Sequence, residues 1–454
     1  MAVPKSNRSA DRSPVGAAQH LTQVLSAFLA TRLRPGQRLC VGLSGGRDSV
    51  VLLHALSQLA LPIELSALHV HHGLSANADV WAAFCAKFCR ACAVPLRTVC
   101  VDVPRASGVG LEAAARQKRH AAFADCAADW LALAHHRDDQ AETVLLNLLR
   151  GAGVAGAAGM LSERPQCDGP CLIRPLLDVP RSAIEAYAAQ HALAWIDDES
   201  NDDLHYRRNY LRREVMPRLA DRFPGAPQAL ARAAGHFAET TNLLDELARL
   251  DRAAAAPQGG GIALVVFNGL SRPRARNLLR FELVSAGFRA PETRWIDEAL
   301  RQLASARATA ETCVSTPDGE IHAYRGQLHL VRSRPPVPAE PLIWHGETEL
   351  PWAEGRIRFL PSHGAGLSRR LMVGEVSVSP RRGGERLQPD MRRPRRTLRN
   401  LLQESAVPPW ERQRLPFLWC ADRLAWVGGL GIDTAFTCPP DEDGLQIVWS
   451  SSVT

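Results

Sequence analysis

Arg38-Leu-Cys-Val-Gly-Leu-Ser-Gly-Gly-Arg-Asp-Ser49 begins as an apolar, strand-like run and ends in Ser44-Gly45-Gly46, after which Val50-Val-Leu-Leu-His-Ala-Leu56 continues with the spacing of an amphipathic helix. The chain thus passes from strand to tight loop to helix, with Asp48 and Ser49 in the helix's first turn. Two consecutive glycines allow positive φ and bring backbone N–H groups close to an anion, and the helix dipole adds roughly half a positive charge at that end. Such a loop suits phosphate. No Gly-Lys-Ser/Thr follows, so it is not a Walker loop. A glycine-rich strand-to-helix turn without a ligand is the plain alternative.

On either side of this loop, strand-like and helix-like segments alternate from about Leu21 to Ala192. Strands are expected over 38–43, 64–70, 96–103, 130–134 and 171–177, and helices over 49–59, 76–92, 111–128, 140–150 and 181–192. Repeated β-α units predict an α/β fold, a doubly wound parallel sheet with helices on both faces, whose ligands lie beyond the C-terminal strand ends. Those ends carry Ser44-Gly45-Gly46, His71-His72-Gly73 and His135-His136-Arg137-Asp138-Asp139, which should converge on one crevice. Asp138 and Asp139 stand at the mouth of the next helix, with Glu142 on the same face. Helix capping needs only one carboxylate. A second Asp and Glu142 facing a phosphate loop suit Mg²⁺ or an amine. The paired histidines are better suited to hydrogen-bonding ligand or backbone than to holding zinc. Gly151-Ala-Gly-Val-Ala-Gly156 matches the dinucleotide fingerprint but follows a helix, so it predicts a closely packed or mobile loop and not a dinucleotide site.

Ser44–Ser49 resembles the PP-loop of enzymes that cleave ATP to AMP and pyrophosphate. In such a loop Ser44 and Ser49 offer hydroxyls to the phosphates and Asp48 holds the Mg²⁺ that neutralises pyrophosphate. Further stretches resemble bacterial tRNA(Ile)-lysidine synthetases: Leu68-His-Val-His-His-Gly-Leu-Ser-Ala-Asn-Ala-Asp79, Leu111-Glu-Ala-Ala-Ala-Arg-Gln-Lys-Arg119, residues 135–153, Arg174-Pro-Leu-Leu, Trp195-Ile-Asp-Asp-Glu-Ser-Asn-Asp-Asp203 and Tyr206-Arg-Arg-Asn-Tyr-Leu-Arg212. They cover most of the first 215 residues. His120 replaces an expected tyrosine, a departure that concerns local packing only.

The resemblance implies that ATP activates the wobble cytidine of an isoleucine tRNA with a CAU anticodon, and that free L-lysine is then joined to it. The base's carbonyl oxygen attacks the α-phosphate held by Ser44, Gly45, Gly46, Arg47, Asp48 and Ser49, with His71 and Arg119 also at the phosphates. Lysine's ε-amine then attacks the activated ring carbon and expels AMP. It must be deprotonated and aimed, for which Asp138, Asp139 and Glu142 are the candidates, while Asp48 serves the departing pyrophosphate. The rivals are a PP-loop tRNA thiolase, which needs a persulfide cysteine or cluster, and a nucleotide sensor that binds ATP without releasing pyrophosphate.

At 454 residues the chain needs two or three domains. Residues 1–18 read as a disordered tail without a secretory h-region, 19–215 as the catalytic domain, 216–334 as a mainly helical tRNA-recognition domain, 335–372 as a linker and strand-rich connection, and 373–454 as a small basic α+β domain. Helices are expected over 228–252, 272–286 and 292–305, and strands over 262–267 and 320–331. The absence of an apolar run of about 18 residues argues against a membrane span. Eleven cysteines without an export signal suit a reducing cytoplasm. Cys85, Cys89 and Cys92, or Cys167 and Cys171, do not make a paired CxxC set, which favours packing over a metal or cluster.

The net charge of +7 permits a polyanionic partner, although only three of 54 basic residues are lysine (Lys5, Lys87, Lys118), so arginine is a general bias of this chain. Two arginine groups nevertheless stand out. Arg207, Arg208, Asn209 and Arg212 alternate with Tyr206 and Tyr210, a pattern suited to RNA phosphates and unstacked bases. Eight arginines from Arg381 to Arg399, among them Arg382, Arg386, Arg395 and Arg396, make a second basic patch, in a segment that resembles the family's C-terminal domain. A solvated charged face is the plain alternative for both. A homodimer is allowed.

Overall fold

A computed structural model of the chain describes residues 14–103, 111–166, 169–198, 203–256, 261–289, 291–305 and 312–451. Cys167 and residues 199–202 of the acidic stretch after Trp195 lie outside them, as do residues 1–13 of the expected tail. The structure divides into two compact units, 1–244 and 245–454.

The first unit is built on a six-stranded sheet. Its strands are β1 (Arg38–Gly42), β2 (Glu64–His71), β3 (Leu96–Cys100), β4 (Trp130–Ala132), β5 (Glu163–Arg164) and β6 (Cys171–Ile173), in the spatial order β3-β2-β1-β4-β6-β5. All pairs are parallel except β5 with β6 at one edge. Its helices include α1 (Pro14–Ala30), α2 (Arg47–Gln58), α3 (Ala78–Ala91), α4 (Leu111–Ala124), α5 (Arg137–Leu149), α6 (Val154–Ala157), α7 (Arg181–Gln190) and α8 (Arg207–Tyr210), and Met216–Arg222 and Ala226–Ala255 follow. The end of the expected tail is therefore helical. Leu21, Leu25 and Leu29 recur every fourth residue and are fully buried, which anchors α1 on the sheet.

Alternation along the strands separates two cores. Leu39 and Val41 of β1 join Ala132, Ile173 and residues of α1, α2 and α7 on one side. Cys40 joins Leu68, Phe123, Leu131 and Leu172 on the other. Each fully buried leucine contributes about 1.5–3 kcal/mol. The decoy glycines form a short bend: Gly151 has φ of 75°, and α6 follows directly.

In the second unit, helices Leu264–Gly269, Arg272–Ser285 and Thr293–Ser305 share a core with an antiparallel sheet of Ile262–Ala263, Gln327–Arg332, Gly319–Tyr324 and Thr312–Thr316. The strand expected over 262–267 is mostly helix. Leu264 and Phe267, three residues apart, are buried, whereas Val265 is 81% exposed, a helical and not an alternating pattern. The strand expected over 320–331 is a hairpin, because Arg325 and Gly326 both take positive φ (50° and 72°) and turn the chain. The C-terminal part is strand-rich, with Trp352, Phe359, Leu418 and Trp426 in one core and the short helix Leu398–Glu404 in another.

Candidate active site

Strand order reverses between β1 and β4, and a doubly wound sheet opens its ligand crevice at such a reversal. The loop after β1 and the turn after β4 both enter it. In the first, Ser49 Oγ donates to the Gly46 carbonyl (2.8 Å) and accepts from the Ser44 N–H (3.2 Å), and the two serine hydroxyls lie 3.1 Å apart. These bonds hold a turn in which Gly45 has φ of 89°. A Cβ on Gly45 would lie 2.5 Å from Ile196 Cδ1 and 3.2 Å from Cys85 Sγ. Ile196 N–H in turn donates to the Gly45 carbonyl at 2.9 Å. Gly45→Ala is accordingly expected to strain the loop by about 1–3 kcal/mol and to weaken ATP binding in a titration; unaltered affinity would mean that nucleotide does not use this turn.

The helix entered after β4 begins at Arg137, three residues before the expected start, and its cap is not an aspartate side chain alone. His136, 1% exposed, accepts at Nδ1 from the N–H groups of Asp138 (3.2 Å) and Asp139 (3.4 Å), while Asp139 Oδ2 accepts from His136 N–H (3.1 Å), a reciprocal capping box. The other ring nitrogen, Nε2, lies 3.6 Å from Asp48 Oδ2 and 3.5 Å from Asp139 Oδ2. Burial disfavours the imidazolium, but the bond to Asp48 and the charges of Asp139 and Asp48 outweigh it and raise the ring's pKa. The two N–H donors at Nδ1 oppose a second proton there, so the form with hydrogen on Nε2 satisfies every contact. For Asp48, burial opposes ionisation, yet His136 keeps the carboxyl below its usual range. His136→Asn preserves a capping oxygen and removes the Nε2 link, so melting temperature should hold while ATP turnover falls roughly tenfold or more.

The acidic trio does not act as one group. Asp138 Oδ2 accepts from the N–H of Arg181 (3.0 Å), the first residue of α7, and so caps a neighbouring helix. Asp139 and Glu142, 7% and 3% exposed, meet two guanidinium groups. Arg208 reaches Asp139 Oδ1 (2.9 Å) and Glu142 Oε2 (3.2 Å); Arg212 reaches Asp139 Oδ1 (2.8 Å) and both Glu142 oxygens (2.7 and 2.9 Å). The expectation that Arg208 and Arg212 lie on RNA phosphates does not match this placement: buried carboxylates need compensating charge, and these side chains turn inward to supply it. Burial opposes ionisation of Asp139, but His136, Arg208, His135 and Arg212 pull its pKa down to about 2. Arg207, Tyr206 and Tyr210 remain exposed, and Asn209 Nδ2 donates to the Asp203 carbonyl (2.9 Å).

Arg47 is committed to Glu185 (2.9 Å) and lies 5.8 Å from the Trp195 ring, although its Nε is buried without a hydrogen bond. His71 Nε2 is 3.0 Å from Asp79 at the start of α3. Arg119 is exposed on α4, and its charge reaches His72 and His135. These two histidines and His136 were marked in the sequence only by the His-His pairs, and Ile196 by no chemical signal of its own. Both His72 and His135 keep a buried Nδ1 without a hydrogen-bond partner. Desolvation pushes the His135 imidazole down to about 3. A base with a depressed folded pKa stabilises the fold fully above its unfolded value near 6.5 and loses that contribution as pH falls towards 3. Thermal melts should therefore fall through that window, and His135→Gln should flatten the slope. Beneath the loop, burial pushes the thiols of Cys85 and Cys89 up to about 12 and 11, which keeps them protonated and unsuited to carrying sulfur.

In the second unit, Arg381 Nε donates to Glu385 (3.2 Å), Arg382 lies 4.2 Å over the Trp419 ring, and Arg395 Nη2 donates to buried Asp433 (2.7 Å). Arg386 donates to the Arg395 carbonyl (3.1 Å) and Arg396 pairs with Glu404. Arg382, Arg386, Arg392, Arg393 and Arg399 are exposed.

Three family models match: a PP-loop domain over residues 17–219, a TilS substrate binding domain over 263–329 and a TilS substrate C-terminal domain over 376–449. A tRNA(Ile)-lysidine synthase of Aromatoleum aromaticum is 44% identical over 426 residues, 93% of this chain and 99% of the relative. One of Nitrosomonas europaea is 40% identical over 93% of this chain and 94% of the relative. Among solved structures, a U34-tRNA thiolase of Methanococcus maripaludis aligns with TM-score 0.43 and 18% identity over 50% of this chain and 80% of its own, a likeness that says nothing of chemistry. With relatives this similar along nearly its whole length, the chain belongs to the tRNA(Ile)-lysidine synthase family.

Proposed function

We propose that this protein is an ATP-dependent ligase that joins free L-lysine to the wobble cytidine of an isoleucine tRNA with a CAU anticodon, forming lysidine through an adenylated cytidine and changing codon reading from AUG to AUA. Family membership gives the reaction class, and one observation of the structure carries the mechanism. The phosphate-loop carboxylate Asp48 and the buried Asp139 meet at a single histidine, His136, and Arg212 ties Asp139 to Glu142.

The N–H groups around Gly45 and Gly46 and the hydroxyls of Ser44 and Ser49 hold the triphosphate at the N-terminus of α2. Asp48 Oδ1 is buried and accepts no hydrogen bond, with Arg47 Nε 3.6 Å away as an ion-pair partner, and a divalent cation would fit this oxygen by taking that place. Mg²⁺ bound there would neutralise the departing pyrophosphate. Asp139 and Glu142 supply the negative charge that receives and orients the lysine ammonium, and Glu142 takes its proton when the amine becomes a nucleophile. Arg208 and Arg212 compensate those carboxylates until the ammonium takes up part of that charge. Exposed Tyr206, Arg207 and Tyr210, with the arginines of residues 381–399, offer stacking and phosphate contacts to tRNA. No helix among the described residues is long and apolar enough to cross a membrane, and the reaction belongs to the cytoplasm.

The direct test is purified protein with ATP, labelled lysine and tRNA transcripts carrying CAU or GAU anticodons. Lysine should enter the CAU transcript alone. Sulfur transfer without lysine incorporation would instead make it a thiolase.

A further inference from the structure

Thr312–Thr316, Gly319–Tyr324 and Gln327–Arg332 are adjacent antiparallel strands, and their register sets Cys313 opposite His322 and His322 opposite His329. Directly opposed residues share a face of a sheet, as do residues two apart on one strand. Cys313, His322, His329 and Glu320 therefore stand on one face. Val314, Ile321, Ala323 and Leu328 occupy the opposite face, in the core. Cys313 Sγ lies 3.9 Å from His322 Nε2, and Glu320 Oε2 lies 2.8 Å from the same nitrogen. One ligand atom from each of these three residues falls within 4.8 Å of the other two. The Trp410 ring lies across the row, its centroid 4.4 Å from His322 and 5.1 Å from His329.

We propose that this row is a transition-metal site that takes zinc through Cys313 Sγ, His322 Nε2 and the Glu320 carboxylate, with solvent in the fourth position. The distances suit it. A zinc ion about 2.3 Å from sulfur and about 2.0–2.2 Å from nitrogen and oxygen sets tetrahedral ligand atoms roughly 3.3–3.7 Å apart. The sulfur–nitrogen pair is already close to that separation. The carboxylate has to withdraw from hydrogen-bond distance by about half an ångström, and Glu320, with a side chain 47% exposed, is free to swing outward.

Binding is balanced in protons. The Cys313 thiol releases its proton to solvent as the sulfur–metal bond forms. His322 stays neutral by changing tautomer: the hydrogen that Nε2 donates to Glu320 leaves, one is taken up at Nδ1, and the metal binds the freed Nε2 lone pair, so the Cys313 proton is the only net release. A thiolate, an imidazole and a carboxylate select zinc or cobalt over magnesium. The second unit would gain a clamp beside Trp410, on the helix Pro409–Arg412.

The test uses the full chain, stripped with chelator, kept reduced and titrated with cobalt(II). Wild-type protein should develop the thiolate-to-cobalt charge-transfer band and the visible bands of tetrahedral cobalt at a single equivalent, and zinc should abolish them. Cys313 is exposed, so Cys313→Ser should fold normally while losing the charge-transfer band and weakening cobalt binding by at least the roughly 10- to 100-fold that even outer-shell substitutions cost. Glu320→Gln should keep the band and weaken binding. A band unchanged in Cys313→Ser would place the thiolate at another cysteine, and cobalt binding weaker than about 1 mM in wild type would mean no site; either result overturns the proposal.

Discussion

Asp48→Asn is expected to slow pyrophosphate release from ATP by roughly 10²–10³-fold while folding and tRNA affinity persist. The carboxylate sits in the first turn of α2, with Oδ2 facing His136 and Oδ1 buried without a hydrogen-bond donor. An amide keeps the shape but loses the charge, and presents N–H groups where a cation needs lone pairs. Nothing else in Ser44–Ser49 carries negative charge, since Arg47 is cationic and the serine hydroxyls are neutral. Pyrophosphate release measured beside tRNA binding separates the outcomes. Turnover equal to wild type would remove Asp48 from the reaction, and loss of tRNA binding would make it a folding residue.

Arg212→Met should destabilise the protein by about 3 kcal/mol or more. It leaves Glu142, 3% exposed, and Asp139, 7% exposed, with one guanidinium between them, and breaking a buried ion pair from one side typically costs about 3–5 kcal/mol. The salt dependence of tRNA binding, which counts phosphate contacts, should stay the same. A variant of normal stability whose salt slope falls by about one would return Arg212 to the RNA surface. Denaturant unfolding and binding at several salt concentrations decide the matter. Acid should act in the same direction: with the folded Asp139 near 2, its stabilisation is complete above the unfolded value of 3.8 and disappears as pH falls to about 2.

The crevice was legible because its signals are local. Ser44–Ser49 announces its own strand, turn and helix, and the β-α alternation places the ends of β1 and β4 side by side without knowledge of any contact. What escaped depends on distance along the chain. Arg208 and Arg212 meet carboxylates 66 to 73 residues earlier in sequence, and no periodicity marks a charge as facing inward. The wide turn of helix at Leu211–Val215, next to these arginines, has no signature either. At α5 the usual preference for aspartate caps pointed to Asp138 or Asp139. The capping atom is instead His136 Nδ1, with Asp139 returning the bond and Asp138 diverted to α7. In the second unit, Leu264 and Phe267 were apolar enough for a strand, and only their burial beside an exposed Val265 reveals the helix.

One crevice is held to perform two steps, transfer of AMP to the cytidine and displacement of that AMP by an amine. Incubating the protein with α-phosphate-labelled ATP and the CAU transcript in the absence of lysine tests this most directly. Label should accumulate on the RNA as a covalent adenylate and leave as AMP when lysine is added. RNA that never carries label under these conditions, or nucleotide that emerges as ADP, would contradict the account.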